Sequence, residues 1–248
     1  MGEAVGEDGL GGRVALVTGA SRGIGLAVAE RLVAGGMKVA LVARSAEALA
    51  DHAKRLPGTL AHAADLREPD AAARAVAATV AKFGALHLVV NNAGATKRGS
   101  FADLTDADFH DGFALKFHGA VRLTRAAWPH LKAGGGAIVN VIGAGGKTAQ
   151  ADFTIGGSVN AALFNFTKAI AQLGAAEGVR VNAVSPGHIE TGRLTARLEA
   201  AAKEDGVGID EARKRQLALL KLPRFGDPSE IAEIVAFLAG KRASYMQG

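Results

Sequence analysis

The sequence predicts an α/β fold, a single doubly wound parallel sheet with helices on both faces and a helical lid. Three observations carry this reading. Short β-rich runs, several apolar at consecutive positions, alternate with longer helical patterns, as expected of strands covered on both sides. The turns after the strands are short and contain glycine, which suits right-handed strand–helix–strand units. A length of 248 residues fits one such domain and is too short for two ordinary enzyme domains.

The first dozen residues, MGEAVGEDGLGG, are acidic and glycine-rich without an apolar centre, so 1–12 reads as a floppy tail and 13–248 as the domain. Strands are expected at 13–18 (RVALVT), 38–43 (KVALVA), 59–64 (TLAHAA), 86–90 (LHLVV), 137–141 (AIVNV) and 179–184 (VRVNAV). The helical patterns between them cover roughly 23–34, 46–55, 69–83, 106–132 and 157–175. The amphipathic segment 191–222 then interrupts the alternation before a last helix at 229–239. An insertion after the carboxyl end of a strand lies over the ligand crevice, so a substrate lid is expected there.

Composition narrows the function classes. Apolar residues make up 49% and charged residues 21% of the chain, which is ordinary for a globular protein with its own core. The absence of cysteine excludes disulfides, thiolate catalysis and cysteine-ligated metals, and it fits a cytoplasmic protein. No metal set and no membrane anchor is read. The net charge of +5 raises nucleic-acid binding. Its densest region, Arg193 to Arg224, holds eight Lys/Arg against five Asp/Glu but only Phe225 for base stacking, which speaks against that partner.

The stretch VALVTGASRGIG places Thr18 and Gly19 at the end of the first strand, with Ser21 and Arg22 in the turn and Gly23, Ile24 and Gly25 opening the first helix. Such glycines let the backbone approach a pyrophosphate, whose charge is favoured at a helix N-terminus. NNAG, with Asn92, Ala93 and Gly94, follows the fourth strand, and SPGHIET, with Pro186, Gly187, Ile189 and Thr191, follows the sixth. Asp65, next to Leu66, ends the third strand where it would accept from an adenine amino group. All lie at carboxyl ends of strands, where open α/β sheets bind ligands.

TGASRGIG, NNAG and PGHIET in this order and spacing resemble the short-chain dehydrogenase/reductase superfamily over nearly the whole chain, in particular its 3-oxoacyl-carrier-protein reductase-like members. The resemblance implies a Rossmann-like sheet, a nicotinamide dinucleotide on the glycine turn, Asn91 bracing the sheet, and Ile189 and Thr191 at the nicotinamide carboxamide and the phosphates. It also implies a small-molecule carbonyl or hydroxyl substrate and a homodimer or homotetramer paired through helices 106–132 and 157–175. The second helix carries Val159, Leu163, Phe166, Ile170 and Leu173 at helical spacing, a stripe that core packing would equally require. The sequence ends at ASYMQG, where the family usually continues into a seventh strand and a DGG turn, so an exposed sheet edge is expected. At the end of the second strand, VARS supplies Arg44 and Ser45 where a carboxylate would select NAD(H). Arg22 adds a second guanidinium, so NADP(H) is expected over NAD(H).

The chemistry is where the chain departs from its relatives. The family reduces a carbonyl with a serine, a tyrosine and lysine spaced Y-x-x-x-K, and a helix asparagine. Those places hold Gly143, Gly156, Asn160 and Lys116, and the only tyrosine is Tyr245. A positioned general acid contributes about 10²–10⁴-fold. Lys116 and Asn160 look like residue types exchanged between facing helices, and Lys116 and His188 are the candidates to replace the phenol. Each has a plainer alternative, a lysine meeting solvent and a lone loop histidine. Lys147, Asp152, Thr154 and Ser158 around the site read as structural, and His118 as facing another side of its helix. Glycine at 143 and 156 is expected to open volume beside the nicotinamide. Three readings stay open: an NADP(H)-dependent enzyme with a substituted proton donor and an anionic substrate, a nucleotide-binding sensor without turnover, or non-redox hydration or carbon–carbon cleavage.

Overall fold

Alternate residues of the first strand, β1 (Val14–Thr18), enter opposite cores, with Ala15 and Val17 on one side and Val14 and Leu16 on the other. The computed structural model describes residues 8–248. The chain continues through α1 (Gly23–Ala34), β2 (Lys38–Ala43), α2 (Ala46–Arg55), β3 (Thr59–Ala63), α3 (Ala71–Phe83) and β4 (Leu88–Asn91). Then come α4 (Asp106–Phe113), a π-helical turn (Ala114–His118), α5 (Gly119–Ala133), β5 (Ala137–Val141), α6 (Thr154–Glu177) and β6 (Arg180–Val184). Last are α7 (Gly192–Asp205), α8 (Ile209–Leu220) and α9 (Pro228–Ala239).

The six strands pair in parallel in the order β3-β2-β1-β4-β5-β6. The order reverses between β1 and β4, so a crevice opens at their carboxyl ends. On one face Val28, Leu32, Val235 and Leu238 of α1 and α9 cover the sheet, and on the other Ala75, Val76, Leu123 and Ala127 of α3 and α5 do.

Several expectations are corrected. The helix expected over 106–132 is interrupted by the π turn, and α6 starts at Thr154 rather than at 157. The segment 191–222, expected as a lid, forms two helices, α7 and α8, packed on each other through Leu194, Leu198, Leu217, Leu220 and Phe225. The apolar stripe of α6 divides: Val159 and Leu163 are core, Phe166 and Ile170 are half-buried, and Leu173 is 46% exposed. The free edge of β6 is partly satisfied, because the Gly248 amide donates to Val181 O at 2.9 Å and the Val181 amide donates to Gln247 Oε1 at 2.9 Å. Among the described residues no helix is long and apolar enough to cross a membrane.

The expected tail is also anchored in its second half, while residues 1–7 lie outside the described residues. Leu10 is 1% exposed in the core beside α1, the Gly12 amide donates to Gly36 O at 3.0 Å, and Asp8 pairs with Arg31 and Arg242. The acidic, glycine-rich composition concealed one core leucine. Leu10→Ala is expected to cost about 2–4 kcal/mol of unfolding free energy, measured by urea denaturation, where a tail residue would cost nothing.

Candidate functional site

Thr18 closes β1 with a hydroxyl that faces the neighbouring strand. It donates to Val90 O at 3.2 Å and accepts from the amides of Asn92 and Ala93 at 2.9 and 3.0 Å. Asn92 Nδ2 returns a hydrogen bond to Thr18 O at 2.9 Å. These bonds hold the glycine turn against NNAG so tightly that side chains have no room. A Cβ on Gly19, whose φ is +68°, would lie 2.8 Å from Asn92 Nδ2, and one on Gly25 would lie 2.3 Å from Gly19 O. Deeper in the sheet, Asn91 Nδ2 donates to Asn140 Oδ1 at 2.8 Å and Asn140 Nδ2 to Thr167 Oγ1 at 2.9 Å, tying β4, β5 and α6.

A groove of about 570 Å³ runs along this turn. Gly19, Ser21, Arg22, Gly23 and Ile24 form one wall, Arg44, Ser45 and Leu66 the far end, and Asn92, Ala93, Gly94 and Thr191 the other wall. The bare glycine cradle, the start of α1 and two guanidiniums fit an anionic dinucleotide. Thr18 and Gly25 shape the turn without lining the groove. Asp65 does not line it either: its carboxylate accepts from the Arg67 amide at 3.0 Å and from Arg67 Nη1 at 3.4 Å.

A second cavity, of about 520 Å³, adjoins the groove beside α7. Asn92, Gly94, Thr191 and Arg193 line both. Lys116, Gly143, Asn160, Pro186, Gly187, His188 and Ile189 all line the second, so the sequence candidates converge there. Lys116 rises from the π turn, passes Gly94, and donates from Nζ to Asn160 Oδ1 at 2.6 Å. The two candidates on facing helical segments therefore meet. Burial pushes the Lys116 ammonium down to about 8, with the Arg193 guanidinium acting in the same direction. His188 is also lowered, by burial first and then by Arg197 and Arg98.

Gly143 borders the cavity, 3.1 Å from Asn160 Nδ2 to where its Cβ would be. Gly156 does not open space, contrary to expectation. The Phe153 ring fills it, and a Cβ on Gly156 would lie 2.0 Å from Phe153 Cζ. Gly145 receives the same ring, its Cβ position 2.8 Å from Phe153 Cε1, while Arg98 stacks over the ring at 3.9 Å from its centroid. His118 is exposed and edge-on to Phe117, away from the cavity. Asp152 pairs with Arg98 at 2.7 Å, and Lys147 lies over the Phe164 ring.

Sequence reading missed Arg98, Phe153, Arg193 and Arg197 as lining residues. The spacing of Arg193 and Arg197, one turn apart directly behind PGHIET, was the available signal. Among the described residues that line this cavity there is no carboxylate.

Comparison with known proteins agrees with this architecture. The family model described as Enoyl-(Acyl carrier protein) reductase matches residues 19–248. The acetoacetyl-CoA reductase of Shinella zoogloeoides is 34% identical over 237 residues, covering 95% of this chain and 94% of the relative. The 3-oxoacyl-acyl-carrier-protein reductase of Vibrio cholerae is 36% identical over 250 residues, covering 96% and 94%. The L-sorbose reductase of Gluconobacter frateurii, solved with NADPH and L-sorbose, superposes with a TM-score of 0.89 at 30% identity, covering 95% of this chain and 92% of that one. With its switch-point crevice, glycine turn and full-length similarity, the chain belongs to the short-chain dehydrogenase/reductase family of NAD(P)-dependent oxidoreductases.

Proposed function

We propose that this protein is an NADP(H)-dependent reductase of a small anionic carbonyl compound, with Lys116 serving where its relatives use a tyrosine. The observation that carries the reading is the Lys116 ammonium in the cavity beside the glycine-turn groove, held by Asn160 at 2.6 Å. When bound, the nicotinamide supplies hydride to the carbonyl carbon. Lys116 Nζ keeps further N–H donors for the substrate oxygen, and it donates a proton as that oxygen gains charge. Asn160 orients the amine. Arg98, Arg193, Arg197 and His188 favour a substrate that carries a carboxylate or phosphate.

Arg22 and Arg44 flank the groove where a 2′-phosphate would sit, and no carboxylate among the described lining residues opposes it. The NADPH-bound sorbose reductase supports the same preference. Titration of both reduced nucleotides is the check: Arg44→Asp is expected to weaken NADPH binding by about tenfold or more while leaving NADH within about threefold.

The proton donor sets the pH dependence. Below about 8 Lys116 is an ammonium and can act as the acid; as pH rises through that value the proton is lost. The NADPH-dependent rate on a keto-acid panel is therefore expected to be level below pH 8 and to fall about tenfold per unit above it. Lys116→Ala is expected to lower the rate about 10²-fold or more; an unaffected rate would sink the assignment. Tight NADPH binding without turnover on any carbonyl would favour a sensor or a non-redox reaction.

Phe153 makes the loss of the phenol self-reinforcing, because residue 156 has no space for any side chain. Gly156→Ala is expected to cost about 1–3 kcal/mol in chemical denaturation. Combined with Phe153→Ala, the total should be smaller than the sum of the two single losses.

A further inference from the structure

Lys116 differs from an ordinary structural lysine in what surrounds it. Its stem crosses Gly94, where a Cβ would lie 2.8 Å from Lys116 Cδ, so the glycine makes room for the passage. Its Nζ ends on a neutral amide oxygen at 2.6 Å, and among the described residues no carboxylate pairs with it. Arg193, which donates to Gly94 O at 2.7 Å, is the charged neighbour on the groove side. Arg98, Arg197 and His188 stand together elsewhere in the cavity; burial and the two guanidiniums hold the imidazole toward its neutral form, so the arginines carry the charge there, with Asp152 paired to Arg98. An amine without a counter-ion, in a cavity whose cations attract anions, has the setting of a carbonyl-capturing nucleophile.

We propose that Lys116 also forms a reversible imine with a small ketone or aldehyde bearing a carboxylate or phosphate. The proposal rests on the reading of this cavity as the substrate site. The Nζ lone pair attacks the carbonyl carbon, and a proton passes from nitrogen to oxygen to give a carbinolamine. Protonation of the hydroxyl by solvent and its departure as water leave the C=N bond; addition of water reverses the sequence. No oxidant or reductant takes part. Reduction and capture draw on opposite protonation states of one group, the ammonium for the first and the free amine for the second. With Lys116 titrating at about 8, both forms are populated near neutral pH.

The test uses the full chain without nucleotide. It is incubated with pyruvate, dihydroxyacetone phosphate or acetone, sodium borohydride is added, and the adducts are located by peptide mass mapping. The expected result is one reduced adduct on Lys116 with an anionic ketone, about tenfold or more above acetone and above the surface lysines. Pyruvate against dihydroxyacetone phosphate separates carboxylate from phosphate recognition. Lys116→Arg, checked for native circular dichroism, is expected to lose the adduct. Labelling spread over surface lysines, labelling of Lys116 equally by acetone, or no adduct with either anion would overturn the proposal. NADPH-dependent turnover without a trapped adduct removes the imine and leaves the reductase. An adduct without turnover does the reverse.

Discussion

The Thr18 hydroxyl splices the end of β1 to the start of the NNAG segment, and both cavities depend on that splice. One oxygen serves three backbone partners on a neighbouring strand at the point where the strand order reverses. Such a buried three-way bond is costly to break, because two amides and a carbonyl would lose their partner in a dry interior. It brings Gly19, Gly25 and Asn92 into contact, and only then does a groove remain between the turn and residues 92–94. The adjoining ladder Asn91–Asn140–Thr167 carries the same rigidity across β4 and β5 to α6. The second cavity thus has a fixed floor, with α7 along one side.

On that floor the Lys116 ammonium, from the π turn, meets the neutral Asn160 amide of α6. Around this pair α7 contributes Arg193 and Arg197, and the loop after β4 contributes Arg98. Arg98 is paired with Asp152, so Lys116, Arg193 and Arg197 are the lining cations that no carboxylate among the described residues reaches at salt-bridge distance, and they favour anions there. Phe153 meanwhile fills the space at Gly156 with a ring stacked under Arg98.

Much of the frame was legible in the sequence because it rests on local patterns. Strands buried on both faces read as apolar runs, and the three motifs sit at strand ends because ligand binding requires it. That Tyr245 is the sole tyrosine was also legible, as a matter of composition rather than of folding. What escaped was whatever depends on long-range packing. Phe153 fills the space at Gly156 through a turn of irregular backbone whose path no periodicity encodes. Arg98 and Arg197 are far apart in sequence and converge only through α7 and the β4 loop. Leu10 was hidden by polar neighbours, and a single core contact leaves no pattern.

The π turn at Ala114–His118 ties the reach of Lys116 to a residue count. An α-helix advances about 100° per residue, so a π turn amounts to one residue more than the helix needs. Removing any single residue between 114 and 118 would let α4 and α5 fuse into one continuous helix. The helices on either side would keep their relative phase, because the π turn is what absorbs the extra residue. Gly112, facing Ile155 on α6, and Ala120, in the core beside Ile142, would keep their places, and Lys116 would be re-aimed. The aim of Lys116 into the cavity thus depends on one surplus residue, while the packing of α4 and α5 does not.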